Sequence, residues 1–120
     1  MSSTKWQRII TETVHEIQQR IPNGPVFTLQ AITLLVEQIG IALENRRLNM
    51  SQVRFVTAVE GLKAVEIAQE TQTRMINDSI MKAAFLKNHL PGEEPWECMA
   101  HLVQNKPTLL RERAGLDQFA

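Results

Sequence analysis

The chain has 120 residues, 43% hydrophobic and 22% charged, with 13 lysines plus arginines against 13 aspartates plus glutamates. That length fits one domain, which buries about two-thirds of its unfolded surface without help from a metal, and the apolar fraction excludes wholesale disorder. Zero net charge excludes a surface given over wholly to nucleic acid or anionic lipid, and the single cysteine, Cys98, excludes an intramolecular disulfide framework.

The opening MSSTKWQRII lacks the apolar core of a signal peptide. The most apolar stretch, 26–43, contains Gln30, Thr33, Glu37 and Gln38, so it is too short and too interrupted to span a bilayer. The expectation is a soluble, cytoplasmic protein with no membrane partner. The sequence shows no repeat, and its strand signals are poor. Tyrosine is absent and period-2 alternation is scarce, whereas helical periodicity runs through nearly the whole chain.

The first helix is expected over 4–20, opened by a Thr4–Gln7 capping box. Trp6, Ile9, Ile10, Val14, Ile17 and Ile21 share one face, and Lys5, Arg8, Glu12, His15 and Gln19 share the other. Ile21-Pro22-Asn23-Gly24-Pro25 then stops the helix. The second helix is expected from an N-cap at Thr28 to about Arg46. Leu29, Ala31, Ile32, Leu35, Val36, Ile39, Ala42 and Leu43 cover a wide arc, which Leu34 and Ile41 extend. A helix so broadly apolar needs cover on several sides.

The third helix should start after Ser51. Phe55, Ala58, Val59, Leu62, Val65, Ile76, Ile80 and Ala83 form one stripe, with Val56, Ala64, Ile67 and Ala68 on other faces. The polar run Gln69-Glu70-Thr71-Gln72-Thr73-Arg74 interrupts it. Two readings compete: one long helix with a weak point, or a break near Asn77 with a new helix capped by Asp78 or Ser79. The phase of Met75, Ile76 and Ile80 favours the long helix, over about 51–89. Glu70 and Arg74, four apart, then form a favourable surface pair. Gly40 and Gly61 sit inside helices, which close helix–helix approach would explain. Met75, Met81 and Met99 read as gap-fillers in the core.

Beyond the loop Pro91-Gly92-Glu93-Glu94-Pro95, Pro95 suits the first turn of a helix striped by Trp96, Met99, Ala100 and Val103. Asn105-Lys106-Pro107 ends that helix. Thr108 could cap a last short helix before Gly115, and Leu109, Leu110, Leu116 and Phe119 give the tail apolar anchors.

Two constellations could carry chemistry. Arg46, Arg47 and Arg54 flank the second turn between helices with no acidic residue from 45 to 59. Arginines beside a helix N-terminus suit a phosphate, although the bland alternative is a solvated helix end. The linking segment is not the tight turn of a helix–turn–helix reader. The other constellation is Glu93, Glu94, Glu97, Cys98 and His101, with His89 upstream. Glu97 and His101 share a helix face, but one cysteine and nonspecific spacing make a poor zinc set. Cys98 as a nucleophile would need a neighbouring base, and only His101 is near. No glycine-rich phosphate loop, dinucleotide fingerprint or nucleophile elbow occurs.

The expected fold is all-α: a compact oligomeric bundle of four to five helices, centred on the second helix and a long helix over about 51–89. The whole chain, 1–120, reads as one domain, with a main bundle at 1–90 and short helices or a docking tail at 91–120. The expected function is a non-catalytic interaction or adaptor protein that self-associates and binds a protein partner, without metal or cofactor. Leu34, Ile41, Val56, Ile67, Leu109, Leu110 and Phe119 are the interface candidates. The alternative is a nucleic-acid-associated helical protein that uses Arg46, Arg47 and Arg54.

Overall fold

The computed structural model describes residues 2–87 and 91–104, with side chains from Lys5 onward. Helix α1 (Ser2–Arg20) buries Ile10, Val14 and Ile17 and leaves Lys5, Arg8, Glu12, His15 and Gln19 exposed, as its periodicity predicts. The helix already runs at Ser2, so Thr4 lies inside it and is not its N-cap. Serine and threonine both serve as helix N-caps, so residue type alone could not choose among Ser2, Ser3 and Thr4. Thr13 is also buried, and its hydroxyl donates to the Ile9 carbonyl at 2.7 Å.

The predicted stop after α1 forms a tight turn. Asn23 takes the left-handed conformation at φ 62°, and the Gly24 N–H donates to Ile21 O at 3.0 Å. A Cβ on Gly24 would stand 2.6 Å from Ile21 Cγ2, which explains the glycine. The chain then makes a two-residue strand, β1 (Val26–Phe27), and enters α2 (Leu29–Glu44). Thr28 caps α2 as expected, its hydroxyl accepting from the Ala31 N–H at 3.2 Å.

Helix α2 ends with Arg46 left-handed at φ 57°. The Arg46 N–H donates to Leu43 O at 3.2 Å and the Arg47 N–H to Ala42 O at 2.8 Å, the paired bonds of a Schellman stop. A 3₁₀ turn (Met50–Gln52) leads into α3 (Val53–Glu70).

The continuous helix expected over 51–89 is not formed. Helix α3 stops at Glu70 by the same device as α2: Gln72 is left-handed at φ 56°, and the Thr73 N–H donates to Ala68 O at 2.8 Å. The Thr71 hydroxyl donates to Ile67 O at 2.9 Å, a second bond on a carbonyl that already accepts the Thr71 N–H at 3.0 Å. Strand β2 (Met75–Ile76) follows, and then α4 (Asp78–Leu86). The competing reading, a new helix near Asn77, describes the chain, but the cap is Asn77 itself. Its Oδ1 accepts from the Ile80 N–H at 3.0 Å. Arg74 therefore lies beyond the end of α3, and the surface helix pair expected with Glu70 does not arise on one helix. Helix α5 (Pro95–Gln104) starts at its proline as predicted.

β1 and β2 pair in parallel, Val26 with Met75 and Phe27 with Ile76. The ladder runs from the Val26 N–H to Arg74 O and from the Thr28 N–H to Ile76 O, both at 2.9 Å. The outward-facing Phe27 N–H is taken by Gln18 Oε1 at 2.7 Å. One plan, helix–strand–helix, thus occurs twice, in α1–β1–α2 and in α3–β2–α4. Val-Phe-Thr and Met-Ile-Asn do the same work with different residues, so no sequence repeat betrays it.

The centre of the fold is α3 alone. It packs against α1, α4 and α5 and buries residues around its whole circumference, from Val53 to Ala68. Helix α2, expected at the centre beside it, packs on α1, α4 and α5 and fully buries only Ala31, Leu35, Ile39 and Ala42. On α5 the buried face is Cys98, Met99 and Leu102, shifted from the expected stripe. Among the described residues, no helix is long and apolar enough to cross a membrane. His89 and the tail anchors Leu109, Leu110, Leu116 and Phe119 lie outside the described residues.

Candidate functional site

The three arginines are not equivalent. Arg46 and Arg47 are exposed in the Schellman stop of α2, where a positive charge complements the helix C-terminus. Arg54, in the first turn of α3, is engaged by α1. Its Nη1 and Nη2 donate to Glu16 Oε1 and Oε2 at 3.2 and 2.8 Å, a forked pairing of guanidinium and carboxylate. Glu16 was invisible to an argument from local sequence, because it stands 38 residues away.

The interface candidates also separate. Leu34, Ile41 and Ile67 are half-buried and keep an outward edge. Val56 is fully buried in the chain's own core, so it is not available to a partner. Sequence periodicity placed it on a secondary face of its helix, and α3 turns out to be covered on that face too.

Other apolar side chains are more exposed than any of these. Val26 is 51% exposed, Leu29 75%, Met75 55% and Leu86 59%. Val26 and Met75 are register partners across the parallel strands and point away from the buried pair Phe27 and Ile76. Leu29, expected within the covered arc of α2, opens that helix toward solvent, and Met75 is no core filler. Met81 and Met99 are, at 0% and 1% exposure. An alternation only two residues long gave no strand signal, so the outward positions could not be read in advance.

A cleft of about 510 Å³ opens where α1 meets the end of α2, lined by Trp6, Gly40, Leu43, Glu44, Leu48, Asn49 and Met50. A Cβ at Gly40 would lie 2.9 Å from Trp6 Cη2, so the missing side chain seats the indole. Gly61 likewise receives Ile17 of α1, as close helix approach predicts.

Around α5, Glu93 draws together two residues of the second constellation. Its Oε1 accepts from the Cys98 thiol at 3.3 Å and its Oε2 stands 3.5 Å from His101 Nε2. Glu97, expected to face His101, instead accepts the Glu94 N–H at 2.9 Å and closes the start of the helix. Among the described residues, no group of three or more His, Cys, Asp or Glu side chains could hold a metal ion. The buried Cys98 thiol donates to the Glu93 carboxylate, whose negative charge disfavours a thiolate beside it.

The fold defines the class: an all-α protein of two strand-linked helix pairs and a fifth helix, with α3 at its centre. No family model, curated protein or solved structure matches the chain.

Proposed function

We propose that the chain is a non-catalytic helical interaction protein that self-associates and binds a protein partner. The observation that carries this reading is the outward-facing Val26–Met75 pair, with Leu29 three residues further on, all more than half exposed. Apolar side chains in register beside a strand ladder are costly to leave in water and suit a protein surface better than a small molecule. The half-buried edges of Leu34 and Ile41 on α2 extend the same argument to a second helix face.

Sedimentation equilibrium on wild type and on Leu29→Glu with Met75→Glu tests it. The expected wild-type mass is a multiple of 13.7 kDa, and the variant reverts to one chain with its helicity unchanged. A strictly monomeric wild type at high concentration contradicts self-association.

The nucleic-acid reading is the weaker one, because Arg54, of the three arginines, is already paired with Glu16 and set back from the exposed Arg46 and Arg47. It predicts duplex DNA binding that falls with salt at a log–log slope of about −0.9 per phosphate contact. Glu16→Ala, which releases Arg54, should then tighten it. Affinity unaltered by Arg46→Glu with Arg47→Glu removes this reading.

A further inference from the structure

Glu60 and Lys63 are the buried charged side chains of the described chain. They lie three residues apart on α3, pair with each other, and have side chains only 3% and 1% exposed. Around them stand Phe85 of α4 and Pro95, Cys98, Met99 and Leu102 of α5, and the space these residues enclose is too small for a water molecule. Charges moved from water into such a site lose hydration that their mutual attraction restores only in part. Helix α5 therefore covers a surface that water would solvate well. Its own buried contribution is three residues, Cys98, Met99 and Leu102, against twelve on α3. The contacts that unite α1–α4, namely the strand ladder, α1 on α3 and α2 on α4, do not pass through α5.

We propose that α5 is a detachable cover. It lifts from an intact α1–α4 body at a free energy well below that of global unfolding, and its departure uncovers the Glu60–Lys63 pair and Phe85. Local openings of this kind are drawn from elements with few buried apolar contacts. The ion pair sets the balance, because undocking rehydrates both charges while leaving them on the same helix face.

Cys98 is the only cysteine and lies buried on α5 against this pair, so its thiol reports the opening. The full-length protein is labelled with a maleimide across a urea series, and global unfolding is followed by far-ultraviolet circular dichroism. Without urea, labelling is expected to run about 100-fold or more faster than global unfolding permits, with a shallow urea dependence. Hydrogen exchange should show the α5 amides exchanging well before those of α3. Glu60→Met with Lys63→Met removes the charges and should slow labelling about tenfold. Labelling that tracks global unfolding at every urea concentration overturns the proposal. So do α5 amides that exchange together with those of α3, whatever the thiol does, and labelling unchanged in the double variant. If that variant does not fold, the wild-type labelling and exchange decide the matter alone.

Discussion

Gly61 gives the sharpest residue-scale prediction. A Cβ there would lie 2.8 Å from Ile17 Cδ1 and 3.5 Å from Phe27 Cζ, and Ile17 is 1% exposed. Alanine gains up to about 1 kcal/mol of helix propensity, but overpacking a filled core costs roughly 1–3 kcal/mol. Gly61→Ala is therefore expected to destabilise by about 1 kcal/mol in urea unfolding. Ile17→Val deletes the clashing methyl, so in that background Gly61→Ala should become neutral or stabilising. An equal cost in both backgrounds would show that the Ile17 contact is not the cause. The glycine and the isoleucine were both legible as core features of their helices. Their meeting was not, because nothing local in the sequence joins position 17 to position 61. The same holds for Glu16 and Arg54, whose fork was absent from any reading of the arginine turn by itself.

At the scale of elements, the starts of α2 and α5 and the stop after α1 were legible, whereas the start of α1 and the end of α3 were not. Thr28 is the cap that the sequence predicts, and the structure gives it a second task. Its hydroxyl also donates to Ile76 O at 2.9 Å, so one side chain caps α2 and ties it to β2. Asn77 caps α4 through a single acceptor, its Oδ1. Asn77→Ala is expected to cost about 1 kcal/mol. Thr28→Ala loses both bonds and should cost about 2 kcal/mol, with Thr28→Ser retaining most of the stability. Equal losses at the two positions would mean the Thr28–Ile76 bond contributes nothing. The long helix over 51–89 failed at this scale for a definite reason. Ile76 and Ile80 keep helical phase with Val65 by coincidence, since Ile76 is buried from a strand and Ile80 packs half-buried from a new helix. Apolar phase survives a short break, and the six polar residues before it were the better signal.

The whole molecule is held by contacts between its two helix–strand–helix units. α1 packs on α3, α2 on α4, and β1 on β2. The first unit has little core of its own, because α1 packs mainly on α3, and α2 on α4 and α5, so a peptide of residues 1–48 is expected to show no cooperative thermal transition. Mixed with 49–120, it should regain helicity and a sigmoidal melt, because the missing contacts are all intermolecular then. A cooperative transition in the isolated 1–48 peptide would show that the first unit folds independently.

The sequence by itself determined the all-α class, the amphipathic face of α1, the stop at Pro22–Pro25, the cap at Thr28 and the start of α5 at Pro95. These are local properties: side-chain period, fixed proline φ and the hydrogen bond of a cap each act within about one helical turn. Tertiary structure alone decided that α3 is the centre, that Val56 belongs to the core, that Leu29, Val26 and Met75 face water, and that Glu60 pairs with Lys63 beneath α5. Periodicity records which faces of an element are apolar. Which of those faces is covered depends on elements distant in the chain, and that is settled only when they pack.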